Sequence, residues 1–176
     1  MFKMNRLALS VFVIGASAIG VSTSSYAGNA SSNMTVSADV TNVCTISTGP
    51  LTFGGYDPTS NAVQPGTAAL SVTCTSGAAA TIDLGQGANA NTGSTATAPL
   101  RRLKFNDGAA DHFVNYQLYS DSAHTAVWAA GATHNVAVTG IGTAQALTAY
   151  AQIPGNQGTG TPAGTYQDTI NATVNF

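Results

Sequence analysis

The chain is predicted to be an all-β sandwich or barrel, and three observations carry that prediction. Apolar and polar residues alternate with period two in one short segment after another, as half-buried strands require. Paired Gly, Pro, Asn and Asp residues punctuate those segments at close intervals. Past residue 27, no stretch sustains the 3.6-residue apolar period of a helix.

The elements follow in order. Residues 1–27 read as a secretory signal peptide: Lys3 and Arg6 precede the uncharged run Leu7 to Val21, and Ser25-Tyr26-Ala27 places small residues at −3 and −1 of a cleavage site. That run is shorter than the roughly 20 residues a membrane-spanning helix needs, so a cleaved leader is expected and not an anchor. A polar stretch, Gly28 to Asn33, leads into a candidate strand at 34–40, where Met34, Val36, Ala38 and Val40 alternate with Thr35, Ser37, Asp39 and Thr41. Candidate strands at 43–48 and 51–56 are separated by Gly49-Pro50. Asp57-Pro58 and Pro65-Gly66 mark turns before 69–75, and 79–84 comes next. Gly85 to Pro99, rich in Ala, Asn, Gly, Ser and Thr, is expected to be a long exposed loop. Asn106-Asp107-Gly108 is a turn between 101–105 and 113–119. The last candidates are 134–138, 145–153 and, past Pro154-Gly155-Asn156, 165–176, where Ile170, Ala172, Val174 and Phe176 alternate with Asn171, Thr173 and Asn175. From Thr169 to Phe176 the final run carries neither the charge nor the proline that usually discourages an edge strand from pairing with another chain.

Composition narrows the function classes. Removing 27 of 176 residues leaves 149, the size of one domain. The seven acids are all Asp, and the remaining bases are Arg101, Arg102 and Lys104, so the formal charge is −4. Such a surface has no basic footprint for nucleic acid or anionic lipid. Cys44 and Cys74 form an even pair in an exported chain, which predicts one disulfide. It would bridge the first and third strands of the core; closing a loop of about 31 residues contributes roughly 3.5–4 kcal/mol on the chain-entropy model.

No catalytic or cofactor site assembles from the residues, and a non-enzyme is expected. The histidines His112, His124 and His134 form no HxH or HExxH pattern, and His112 with Asp107 and Asp111 reads as loop polarity before it reads as a metal site. Gly85-Gln86-Gly87 lacks the lysine and helix of a phosphate loop. Arg101, Arg102 and Lys104 read as an outward charged face or a contact with a neighbouring subunit. Tyr56, Tyr116, Tyr119, Trp128 and Tyr166 suit either a sandwich core or a sugar-stacking platform.

The chain resembles the spore coat protein U domain family and, within it, subunits of archaic, Csu-type chaperone–usher pili. The stretches that carry the resemblance are Cys44-Thr45-Ile46, Leu51 through Pro58 (LTFGGYDP), Val72-Thr73-Cys74-Thr75, Asn115 through Asp121 (NYQLYSD) with Trp128, Tyr150 through Pro154 (YAQIP), and Gly164 through Ile170 (GTYQDTI) with Val174-Asn175-Phe176. The resemblance implies an incomplete immunoglobulin-like sandwich that lacks its last strand. On that reading residues 28–42 are a donor-strand extension, with Met34, Val36, Ala38 and Val40 as its apolar row, and 43–176 is the pilin domain. Ile170, Ala172, Val174 and Phe176 would edge the open groove. The implied partners are a periplasmic chaperone, an outer-membrane usher and identical or related pilus subunits, with transit through the periplasm to a surface pilus. A secreted carbohydrate-binding sandwich, or a spore-coat or surface-layer protein, is the alternative expectation.

Overall fold

The computed structural model describes residues 27–176. The predicted leader, residues 1–27, lies outside the described residues except for Ala27. The chain divides into two units at Ala38/Asp39. In the described part of the first unit, 27–38, there is no helix or strand.

The second unit carries eight strands: β1 (Cys44–Thr48), β2 (Gln64–Cys74), β3 (Ala79–Leu84), β4 (Arg101–Asn106), β5 (Asp111–Tyr119), β6 (Val136–Thr139), β7 (Ala144–Ile153) and β8 (Ala172–Asn175). They form a five-stranded sheet in the order β1-β2-β7-β5-β4 and a three-stranded sheet in the order β6-β3-β8. All the strand pairs are antiparallel. The alternating residues read in the sequence face inward here. Leu70, Val72 and Cys74 of β2 meet Ile82 and Leu84 of β3, with Val114, Leu118, Ala151 and Ile153 completing a buried core. Trp128, in the β5–β6 connection, is 1% exposed and donates its indole N–H to the Ile82 carbonyl at 2.8 Å. A buried indole thereby keeps its one donor satisfied.

Several expectations are corrected. The segment 51–56 is not a strand; it makes a single bridge, Thr52 to Thr67, and lays Phe53 over Gly66, where a side chain would meet the ring at 2.9 Å. Pro65-Gly66 is no turn. It belongs to β2, which stays paired to β7 as far back as Gln64 opposite Ile153. At that end β2 has a ladder on one side only, so a proline nitrogen facing the other way forfeits no bond. The disulfide joins Cys44 to Cys74, which stand opposite each other on β1 and β2. It therefore ties the first strand to the second, within one sheet, and not the first to the third. Of 165–176, only 172–175 is a strand. Gln167 bridges Lys104 on the outer edge of β4, and the chain then crosses to pair with β3 in the other sheet. Residues 34–40 form no strand within this chain.

Candidate functional site: an open cleft between the sheets

The inward residues Leu70, Val72 and Cys74 of β2 are fully buried, whereas those of β1 and β8 are not. Cys44 and Ile46 on β1, and Ile170, Ala172 and Val174 at β8, are only half-buried, although all pack against the core. Among the described residues, β1 has a partner on one side (β2) and β8 on one side (β3), and the two strands lie near each other across the sandwich. Past the end of β1 and ahead of β8 the sheets part. A cleft of about 1060 Å³ opens there, walled by 48–56 on one side and 161–170 on the other. Its floor is the apolar core itself, including Leu70, Leu84, Leu118 and Ile153. A cleft with an apolar floor that reaches the start of an edge strand can take an added segment, with backbone groups and side-chain pockets to receive it.

The walls are held by specific contacts. Tyr56 donates its hydroxyl proton to the Pro154 carbonyl at 2.8 Å, and Phe53 packs edge-on against Tyr116 at 5.9 Å. Tyr116 donates to Asp168 Oδ2 at 2.7 Å, while Asp168 Oδ1 accepts from the backbone and side-chain nitrogens of Asn89, both at 3.1 Å. Burial, reinforced by the Asp168 carboxylate, pushes the Tyr116 hydroxyl well above the usual tyrosine range. Gly87, at φ 88°, lets the 85–90 loop approach so closely that any side chain there would collide with Asp168. The Gly85-Gln86-Gly87 sequence thus serves as packing for a loop, and the 85–99 segment is fastened to the sandwich at Asn89 and the buried Pro99 instead of standing free.

Arg101, expected on an outward face, is 1% exposed. It donates to the carbonyls of Gly85 (2.9 Å), Leu84 (2.9 Å) and Trp128 (2.8 Å), and to the side-chain oxygen of Gln117. Burial lowers its guanidinium to about 10, opposed by Tyr116 and Asp168, so it remains a cation at neutral pH. The signal for its burial was in the strand period: Arg101 shares its row with Leu103 and Phe105. Arg102 lies over the Phe113 ring at 3.9 Å, and Lys104 pairs with Asp111 at 2.7 Å. Of the aromatic residues, Trp128 and Tyr116 are core, whereas Tyr119 and Tyr150 flank His124 edge-on at 5.1 and 6.3 Å. Perpendicular rings of this kind present no common flat surface for a sugar. Among the described residues, no group of three or more His, Cys, Asp or Glu side chains is arranged to hold a metal ion.

The structure leaves the predicted donor row in solvent: Met34, Val36 and Val40 are 86%, 85% and 85% exposed, and Ala38 is exposed as well. Phe176, at 59%, stands apart from Ile170, Ala172 and Val174 in being exposed. The 161–167 wall of the cleft was missed in the sequence, where that stretch read as loop and strand onset.

The Spore Coat Protein U domain model matches residues 30–173. The chain belongs to the Spore Coat Protein U domain family. Protein U of Myxococcus xanthus is 35% identical over 183 residues, covering 98% of this chain and 100% of that protein. A chain of the chaperone–tip adhesion subunit pre-assembly complex from archaic chaperone–usher Csu pili of Acinetobacter baumannii shares the fold, with a TM-score of 0.55. The identity is 20%, and the match covers 78% of this family member and 40% of that longer chain. The expected incomplete immunoglobulin-like sandwich is therefore the architecture found.

Proposed function

We propose that this protein is a structural pilus subunit whose cleft is filled by a β-strand from another polypeptide. A periplasmic chaperone occupies the cleft first. At an outer-membrane usher, the segment 28–42 of the next identical or related subunit replaces it, in a donor-strand exchange that is one form of β-strand addition. The resulting fibre supports surface adhesion and biofilm formation. One observation carries the reading: a cleft floored by the apolar core opens where the edge strand β8 begins, with Ile170 and Ala172 half-buried in its lining. Met34, Val36, Ala38 and Val40 match it in chemistry, being an alternating apolar row that is exposed among the described residues. Seven residues from Met34 to Val40 would extend about 23 Å as a strand, enough to span β8 and the approach to it. The likeness in fold to a chain from a chaperone–pilus subunit complex supports the same reading.

Co-expression with and without a periplasmic chaperone tests it. The exported chain should accumulate only with the chaperone, and fusing residues 29–42 after Phe176 should relieve that dependence. Equal yields of soluble, unfused monomer without any chaperone would count against the proposal.

A further inference from the structure

One of the contacts that hold the 161–170 wall of the cleft runs through an imidazole. His112, near the start of β5, has Nε2 2.9 Å from Asp107 Oδ2 and Nδ1 2.9 Å from the Gly160 carbonyl oxygen. Neither partner can donate. The Asp107 carboxylate is itself held ionised by the backbone N–H groups of Ala110 (2.7 Å) and Ala109 (2.8 Å), which with His112 keep its proton affinity far below the usual carboxylate range. A neutral imidazole carries one N–H and must aim a lone pair at the other acceptor; only the imidazolium serves both.

We propose that cationic His112 latches the 158–164 loop to the β4–β5 turn, and that loss of its proton releases this wall of the cleft. The hydrogen bonds to Asp107 and then Gly160 raise the affinity of His112 for its second proton. The groups facing it are few. Asp111 is occupied by Lys104 Nζ (2.7 Å) and Asn106 Nδ2 (2.6 Å), and the Phe105 ring stacks at 6.3 Å. The Tyr166 hydroxyl is engaged with the Pro162 carbonyl at 2.9 Å. Among the described residues, Asp107 is therefore the carboxylate that holds the cation. Either side of the latch the chain is pinned: Gln157 exchanges hydrogen bonds with the Asn115 backbone at 2.7 and 3.0 Å, and Gln167 ladders to Lys104 at 2.8 and 2.9 Å. Residues 161–166, which line the cleft, sit between those pins. Faster strand entry at higher pH is a consequence that rests on the function proposed above; the latch itself does not.

A nitrogen-detected NMR titration of the full, disulfide-bonded chain between about pH 5 and 9 tests the latch. Both His112 ring nitrogens should be protonated at the acid end, with a midpoint above the ordinary histidine value of about 6.5. The Gly160 carbonyl carbon and the Thr161 amide should shift with that same midpoint while the β2 and β7 amides do not. His112→Gln should abolish the step, and Asp107→Asn, which leaves the ring in place, should move the midpoint down. A singly protonated ring at the acid end, an unchanged midpoint in Asp107→Asn, or a step that persists in His112→Gln overturns the latch. Adding a peptide of residues 29–42 separates the two ideas: a latch that titrates as stated, with no peptide binding at any pH, upholds the latch and removes the strand-acceptor reading.

Discussion

Arg101 shows how one side chain joins the parts of this fold that the sheets leave separate. Its guanidinium collects the carbonyls of Leu84 and Gly85, at the end of β3, and of Trp128 in a different connection. Arg101→Leu should destabilise the chain by about 2 kcal/mol or more, because buried acceptors left without a donor each cost roughly 1–3 kcal/mol. Arg102→Ala removes a stacked contact over Phe113 and two donations from a half-buried position, to the carbonyls of Asn89 (3.1 Å) and Ala90 (3.2 Å), and should cost less, about 1–2 kcal/mol. Urea denaturation of the two variants side by side checks the contrast. The β4–β5 turn supplies a second prediction, in pH. Asp107 has its folded-state proton affinity lowered, so its contribution is present above its unfolded value and lost as pH falls through the folded one. For His112 the affinity is raised, and its contribution is present below its unfolded value and lost as pH rises through the folded one. The turn should thus show its highest amide protection, relative to the intrinsic exchange rate at each pH, between about pH 4 and 6.5, the two unfolded values, and protection factors at 107–112 measure it.

Strand by strand, period-two alternation was legible wherever the ladder runs on without interruption. The segment 79–84 was read with the bounds β3 has, and β1, β4 and β7 differ by one residue at an end. Alternation does not report which strand a segment pairs with. It placed a strand at 51–56 because Leu51 and Phe53 alternate, yet Gly54-Gly55 break the run and the segment serves as a cleft wall. It carried the last strand back to 165, although the chain changes sheets between Gln167 and Ala172. The cleft itself was visible only through the family resemblance, since it is a property of two edges far apart in sequence. Cys44 and Cys74 were legible as a pair, but their position within one sheet was not. That position has a consequence: β1 has a backbone ladder to β2 alone, reinforced by the disulfide. Replacing both cysteines with alanine should lower stability by about 3.5–4 kcal/mol, with the earliest amide exchange at 44–48. Denaturation and exchange of the variant under non-reducing conditions read both effects.

At the scale of the molecule, the unequal burial along the two flanks is the fact to explain. Fully closed sandwiches bury the inward rows of their outer strands, whereas here Ile46, Ile170, Ala172 and Val174 remain half open. The proposed donor supplies the missing apolar row, and its affinity should depend on single side chains. Val36→Asp in a 29–42 peptide should weaken binding at least tenfold, because a buried valine contributes roughly 1.5–3 kcal/mol and each 1.4 kcal/mol is a factor of ten. Titration of wild-type and variant peptides into residues 43–176, followed by fluorescence of Trp128, gives the ratio. The most direct measurement of the whole account is amide hydrogen exchange at Ala172–Asn175 in residues 43–176, with and without the peptide. The β8 amides that point away from β3 should exchange freely alone and become protected when the peptide is bound. If those amides are already protected in the isolated domain, or saturating peptide leaves their rates unchanged, the cleft is not a strand acceptor.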